Sequence, residues 1–302
     1  MSADKSRLWG AWGIVLLSLL WGYTWVVAKQ ALDFAPPLAL TLIRVAGGAV
    51  ALFAALKLLR QPLKLQAPRA VLFISLCQVS AFMLLQTFSL KFGAAGKTAV
   101  LVYTMPIWTL LLGWPVLNEK VRGMQWLAVG AMLTGLLLII EPWDLESSWL
   151  SNACGIGAAV CWAMGTVLVK SLRRQQQVSL LSLTAWSNLI GAFPVALVAS
   201  LVDEPPIHWA PAFVAIVMVL TLISTAFCWW LWTSILDRVP AWEASLLVLG
   251  TPVIAIASSR IILGEAFSRY EVAGILLIGL GLVLLSFVSW LRERKLQARA
   301  EP

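Results

Sequence analysis

Long apolar runs alternate with short polar linkers along the whole chain. A membrane-spanning helix needs roughly 20 mainly apolar residues, and ten runs approach that length. They cover residues 8–28, 37–58, 69–89, 96–114, 122–140, 152–169, 180–201, 210–235, 242–262 and 269–291. Because the linkers leave no room for a separate soluble domain, the pattern predicts an all-α polytopic membrane protein with ten transmembrane helices.

The composition favours lipid as the surrounding medium. Hydrophobic residues make up 61% of the chain and charged residues 12%, whereas a soluble domain has roughly 45–50% and 25%. The net charge is +8, but the basic residues stand at the edges of apolar runs, as in membrane topology and unlike a nucleic-acid-binding face. We therefore expect a monomer that contacts membrane lipid and a small-molecule substrate, and no nucleic acid.

The basic residues also predict the orientation. Of the 22 Lys and Arg residues, 16 fall on the side of the N-terminus, five fall on the opposite side, and Arg44 lies inside a span. Cytoplasmic segments of membrane proteins carry an excess of Lys and Arg. Both termini are therefore predicted to be cytoplasmic, with the protein in a bacterial inner (plasma) membrane.

A proline-to-glutamate motif occurs twice, at an offset of 146 residues. Pro106 is followed 13 residues later by Glu119, and Pro252 is followed at the same distance by Glu265. Both pairs bracket an apolar run. Matched prolines and glutamates are stronger signs of duplication than matched leucines in a chain of this composition.

The duplication divides the chain into residues 1–145 and 146–302, each with five predicted spans. An odd number of spans places the second half upside down relative to the first. Inverted repeats locate a substrate site near the membrane midplane, between the halves, and work by alternating access. At an offset of 141, Trp21 matches Trp162, so the first and sixth spans are related as well.

These residues resemble the EamA-like branch of the drug/metabolite transporter superfamily. The resemblance is carried by the two proline-to-glutamate motifs and by Arg44 early in the second span, and it covers nearly the whole chain. It implies ten helices in two inverted five-helix repeats. It also implies export of small metabolites, here most like the exporters of amino acids, including aromatic ones.

Several polar and aromatic residues inside spans are candidates for the transport cavity. A charge at a helix centre costs roughly 2.5–3.5 kcal/mol on insertion scales, so Arg44 is either a counter-charge for a substrate carboxylate or a lock on helix packing. Trp21 and Trp162 are either cavity walls or packing residues. The candidate set is Trp21, Arg44, Gln78, Gln86, Tyr103, Trp162, Trp186, Ser224, Glu243 and Ser245. Gln78 and Gln86 are eight residues apart and therefore share a face of a regular helix.

The motif residues and the span ends have predicted roles of their own. Proline removes a backbone donor and kinks a helix, so Pro106 and Pro252 are either hinges or static bends. Glu119 and Glu265 are expected to fix helix ends. Glu243 and its first-half equivalent Lys97 are either gate charges or ordinary helix-end charges.

No enzyme chemistry is indicated. The chain has one histidine, His208, and its four cysteines lie in apolar runs, so neither a metal site nor a cofactor is expected. A multidrug or quaternary-ammonium exporter remains an alternative, but it would need a deep acidic residue, and only Glu243 qualifies. An intramembrane lipid-modifying enzyme would need clustered His, Asp or Glu residues at one depth.

Overall fold

The computed structural model describes residues 3–117, 123–141, 148–231 and 250–300, and within these ranges it is helical without a strand. The helices are α1 (Ala3–Ala31), α2 (Pro37–Leu58), α3 (Pro68–Ile74), α4 (Phe82–Phe92), α5 (Ala95–Val102), α6 (Met105–Leu117), α7 (Gln125–Ile140), α8 (Trp149–Gln175), α9 (Leu180–Leu201), α10 (Pro211–Met218), α11 (Gly250–Ile262) and α12 (Arg269–Ala300). The predicted all-α class is confirmed.

Within the described ranges, six helical segments are long and apolar enough to cross a membrane. They are Pro37–Leu58, Pro68–Phe92, Ala95–Val116, Trp149–Gln175, Leu180–Leu201 and Pro211–Leu231. Two shorter apolar helices, Gln125–Ile139 and Thr251–Ile262, fall on the predicted fifth and ninth spans. α1 and α12 cover the predicted first and last spans, and the count of ten spans stays a prediction.

The outside of the helical bundle is apolar. Leu58, Leu201 and Ile261 are 83%, 76% and 81% exposed. Apolar surface on this scale would drive a soluble protein to aggregate, whereas lipid tails accept it at no cost. The surface therefore agrees with a multi-pass membrane protein.

Helices from the two halves of the sequence pack against each other. α7 lies along α12, α2 along α9, and α1 against α11. α7 and α12 approach each other closely, since a Cβ atom added to Gly274 would lie 2.5 Å from the carbonyl oxygen of Gly135. The two backbones are therefore in direct contact, as glycines allow between membrane helices.

Two of the spans contain a π-helical segment. The first, Ser75–Ala81, joins α3 to α4, and the second, Val219–Phe227, follows α10. Their first residues differ by 144 positions and their last by 146, so they occupy equivalent places in the two halves. π-helical turns are rare and frequently occur at functional sites.

A hydroxyl group bonds back along the backbone in each π-helical segment. Ser80 Oγ donates to the carbonyl of Ser75 at 3.3 Å and to that of Gly191, in α9, at 2.8 Å. Thr225 Oγ1 donates to the carbonyl of Leu220 at 2.9 Å. Both intrahelical bonds reach back five residues, which matches the i→i+5 spacing of a π-helix.

The fourth span is interrupted at its centre. α5 ends at Val102 and α6 begins at Met105, with a turn between them. Pro106 is therefore the second residue of α6, where a missing N–H is tolerated. Thr104 stabilises the turn, because its Oγ1 donates to the carbonyl of Leu101 at 2.6 Å. A helix break replaces the expected continuous, proline-kinked helix.

Pro252 is the third residue of α11 as the structure describes that helix. The residues that precede α11 lie outside the described ranges. The hinge role of Pro106 and Pro252 stays a prediction.

Glu265 connects the end of α11 to the start of α5. Its Oε1 accepts from the N–H of Ala95 at 2.6 Å, and its Oε2 accepts from the N–H of Gly96 at 3.0 Å. A carboxylate at this place satisfies two donors that a helix N-terminus leaves unpaired and complements the helix dipole. Glu119, the equivalent residue of the first half, lies outside the described residues.

Replacing Glu265 by alanine is expected to lower the thermal unfolding midpoint of the detergent-solubilised protein. The variant leaves two buried N–H groups without their acceptor, and losing a helix cap costs about 1–2 kcal/mol. Asp203→Asn, at an exposed position, is the control for loss of a surface carboxylate. Equal midpoints for the two variants would show that the cap is unimportant.

Candidate functional site

A cavity that is open to solvent lies between helices of both halves. From the first half it is lined by α1, α2, α4, the end of α5, the turn that follows and the start of α6. From the second half it is lined by α8, the second π-helical segment and the helical residues directly after that segment. The lining residues are Trp21, Thr24, Trp25, Arg44, Phe82, Met83, Gln86, Val102, Tyr103, Met105, Trp162, Ser224, Thr225 and Trp229.

Arg44 supplies a positive charge to the cavity. Its side chain is 8% exposed, and its Nη2 donates to Ser224 Oγ at a long 3.4 Å. Its Nε has no hydrogen-bond partner among the residues that the structure describes. A guanidinium carries five N–H donors, so Arg44 keeps donor capacity for a ligand.

Two glycines explain how Ser224 comes close to Arg44. A Cβ atom on Gly48 would lie 2.5 Å from the methyl group of Thr225, and one on Gly47 would lie 2.8 Å from that of Thr221. One turn beyond Arg44, the surface of α2 therefore carries no side chains at Gly47 and Gly48. The second π-helical segment packs onto that surface and places Ser224 beside the guanidinium.

Aromatic rings form a continuous wall. The ring centroids of Trp21 and Trp229 are 6.1 Å apart, those of Trp229 and Trp162 5.4 Å, and those of Trp162 and Phe82 4.7 Å. Trp21 Nε1 donates to the carbonyl of Ser224 at 3.1 Å, which fixes the orientation of its ring. Such a wall can stack on a flat apolar group or hold a cation against its π-faces.

Gln86 and Tyr103 add polar groups to the cavity. Gln86 is 4% exposed, and its Oε1 accepts no hydrogen bond from any described residue. Tyr103 lies in the turn between α5 and α6, with its ring 6.2 Å from that of Trp25. Neither Asp nor Glu is found among the described lining residues, so Arg44 is the fixed charge within that set.

Six of the ten predicted cavity residues line this space: Trp21, Arg44, Gln86, Tyr103, Trp162 and Ser224. Glu243 and Ser245 lie outside the described residues. The structure places the other two, Gln78 and Trp186, away from the cavity.

Gln78 faces α8 instead of the cavity. Its Nε2 donates to Thr166 Oγ1 at 3.5 Å, and its Cβ lies where a side chain on Gly165 would stand. The prediction that Gln78 and Gln86 share a face was wrong because it assumed a regular helix. The first π-helical segment contains Gln78 and changes the angular spacing before α4 begins.

Trp186 lies against the linker that follows α2. Its Nε1 donates to the carbonyl of Leu63 at 2.9 Å, and its ring meets that of Phe53 edge-on at 5.1 Å. Its position in the second half matches that of Arg44 in the first, yet it is not a cavity residue. The side chain ties α9 to the end of α2.

Lys97 forms an ion pair with Glu271 near the start of α12, with 3.0 Å between Nζ and Oε1. Glu271 also closes a capping box with Ser268, since its Oε2 accepts from the Ser268 N–H at 2.9 Å. Lys97 therefore joins α5 to the N-terminus of α12. Whether Lys97 acts as a gate charge or as a helix-end charge stays a prediction, and Glu243 lies outside the described residues.

The remaining lining residues were not predicted for the cavity. Thr24 and Trp25 stand three and four residues after Trp21, so helical periodicity alone could have indicated them. Trp229 stands five residues after Ser224, in the helical turn that follows the second π-helical segment. The apolar lining residues, such as Met83 and Val102, carry no such signal.

A bundle of membrane helices that encloses an aromatic, cationic cavity between two halves is the architecture of a membrane transporter. The model of the EamA-like transporter family matches residues 8–141 and again residues 149–287. The chain therefore belongs to the EamA-like transporter family.

Individual proteins agree with this assignment. The chain is 31% identical to "Uncharacterized transporter YoaV" of Bacillus subtilis over 91% of its own length and 96% of that protein. It is 30% identical to a "Probable amino-acid metabolite efflux pump" of Salmonella typhimurium, covering 90% and 93% of the two chains. A protein of the same name in Escherichia coli is 28% identical, with coverages of 93% and 95%.

The fold also matches a solved crystal structure. The TM-score is 0.67 at 18% sequence identity, over 95% of this chain and 99% of the other. At that identity the likeness concerns the fold alone. The family and the named relatives thus indicate a transporter rather than an enzyme.

Proposed function

We propose that this protein exports amino acids, aromatic ones among them, across the bacterial inner membrane. Two inverted halves would expose the central cavity alternately to the cytoplasm and to the outside, with both termini in the cytoplasm. The excess of Lys and Arg on the side of the termini supports this orientation. The single observation that carries the substrate class is the pairing of Arg44 with an aromatic wall in one cavity.

The chemistry of the cavity suits a carboxylate attached to a flat apolar group. A buried guanidinium is the side chain best adapted to a carboxylate, because its donors form a planar fork. Trp21, Trp162 and Trp229 present their rings to the same space. The names of two relatives, which call them amino-acid metabolite efflux pumps, support the same substrate class.

A panel of labelled amino acids in proteoliposomes tests this proposal. We expect phenylalanine and tryptophan to cross the membrane faster than in protein-free vesicles, and aspartate to cross no faster, because the described cavity offers its second carboxylate no further cation. Transport of a lipophilic quaternary ammonium ion without transport of any amino acid would overturn the proposal.

The quaternary-ammonium alternative keeps one argument in its favour. Tryptophan faces bind cations, and four tryptophans line the cavity. Against it stands Arg44, whose charge repels a cation in a medium of low dielectric constant. The two substrate classes are therefore separated by the sign of the charge that the cavity accepts.

A further inference from the structure

Two buried polar atoms of the cavity have no protein partner within the described ranges, and they differ in kind. One is Arg44 Nε, a hydrogen-bond donor, and the other is Gln86 Oε1, an acceptor. Both side chains are more than nine-tenths buried and both line the same cavity. A buried polar atom without a partner costs free energy, so each of these positions favours a ligand that completes it.

The unpaired acceptor is unusual for its surroundings. Thr41 and Thr87, on α2 and α4 near Arg44 and Gln86 in sequence, are buried and bonded to each other at 3.0 Å, and each hydroxyl also bonds a carbonyl of its own helix. Membrane helices normally satisfy polar groups in this way. Gln86 lines the cavity, and its buried Oε1 departs from that pattern.

We propose that Arg44 and Gln86 together bind the zwitterionic head group of an amino-acid substrate. Arg44 binds its carboxylate, and Gln86 Oε1 accepts a hydrogen bond from its ammonium group. Gln86 is then the specificity-determining residue that separates amino acids from carboxylates that lack an amino group. This inference rests on the proposed function and assigns its substrate contacts.

The neutrality of Gln86 matters to this assignment. A carboxylate at its place would put a negative charge into the same cavity and offset the positive charge that the substrate carboxylate needs. An amide accepts from the ammonium without cancelling the guanidinium. A zwitterion then fits a cavity with one cation and one neutral acceptor, while the aromatic wall holds the side chain of the substrate.

Binding of two matched probes to the purified full-length protein tests the inference. L-Phenylalanine carries both head-group charges, and 3-phenylpropanoate is the same molecule without the ammonium group. Isothermal titration calorimetry in detergent gives both dissociation constants. For the wild type we expect phenylalanine to bind more tightly, since a hydrogen bond to a charged group is worth about tenfold or more in affinity.

Gln86→Leu is expected to weaken phenylalanine binding by about tenfold and to leave 3-phenylpropanoate binding unchanged. Gln86→Met, which keeps the length of the side chain, should give the same pattern if leucine disturbs the packing. Gln78→Leu is the matched control, because it removes an amide two helical turns away that contacts α8 and not the cavity. It should leave both affinities as in the wild type.

The outcomes separate this inference from the function on which it rests. If the wild type binds phenylalanine, and if both Gln86 variants weaken the two probes equally or not at all, then Gln86 does not read the ammonium and the inference is overturned alone. If the wild type binds neither probe and transports no amino acid, then the substrate class and the inference fall together. A selective loss of phenylalanine affinity supports both.

Discussion

Replacing Arg44 by glutamine is expected to reduce amino-acid transport by at least about tenfold, while the folded protein is retained. The variant keeps a polar side chain of moderate length in the cavity but removes the charge. A hydrogen bond from a charged group to its partner contributes about 1.5–3 kcal/mol, and about 1.4 kcal/mol corresponds to a factor of ten in affinity. The loss should therefore appear in both the apparent affinity and the rate at low substrate concentration.

The thermal stability of the Arg44→Gln variant is not expected to fall with its transport rate. A buried cation with one long hydrogen bond is poorly compensated for the water it has lost, so a neutral residue at position 44 should leave the unfolding midpoint unchanged or raise it. Arg44→Lys should give intermediate transport, because an ammonium keeps the charge and loses the planar fork. If Arg44→Gln instead loses folded protein, the residue serves packing and not substrate binding.

The measurement needs both quantities from the same preparation. Uptake of labelled phenylalanine in proteoliposomes reports transport, and a thermal shift of the detergent-solubilised protein reports stability. Arg260→Gln is the control, since Arg260 is an exposed residue of α11 that does not line the cavity. It should behave as the wild type in both assays.

Gly135→Val is expected to have the largest effect on stability. The Cβ atom alone would stand 2.7 Å from the carbonyl oxygen of Gly274 and 3.0 Å from the backbone nitrogen of Ile278. Backbone atoms cannot rotate aside as a flexible side chain can. α7 and α12 must therefore move apart, at a cost of about 3 kcal/mol, the upper end of the usual range for overpacking.

Gly130→Val provides a matched control on the same helix, because nothing lies within 4 Å of a Cβ atom at Gly130. Fluorescence-detected size-exclusion chromatography and the thermal midpoint should show a large loss for the Gly135 variant and little change for the Gly130 variant. Equal behaviour would mean that α7 and α12 do not touch through their glycines.

The sequence was most informative where membrane physics acts locally. Each of the six spanning segments lies on a predicted apolar run, because the thickness of the bilayer sets the length of such a run independently of the rest of the fold. Arg44 and the pair of Trp21 and Trp162 were found for related reasons. A charge in a span is costly. A tryptophan that recurs at equivalent positions of the two halves is a stronger sign of duplication than a recurring leucine, because leucine is common throughout the chain.

The sequence was least informative where local helix geometry departs from 3.6 residues per turn. The two π-helical segments pack against α9 and α2, which are distant in sequence, and the residues within the segments show no pattern that predicts a π-helix. Gln78 was misplaced for this reason. The break before Pro106 likewise depends on Thr104 and Trp108, whose Nε1 donates to Thr104 Oγ1 at 3.1 Å, a contact that becomes visible only once the turn exists.

The single cation among the described lining residues has an electrical consequence. Moving one elementary charge across a membrane at 100 mV changes its free energy by about 2.3 kcal/mol. The charge of Arg44 belongs to the protein, so any displacement of it during export is reversed when the empty carrier returns. The net charge moved per transport cycle is then the charge of the substrate and of any coupled ion. A zwitterionic amino acid without a coupled ion would leave the cell with no electrical current, whatever the membrane potential.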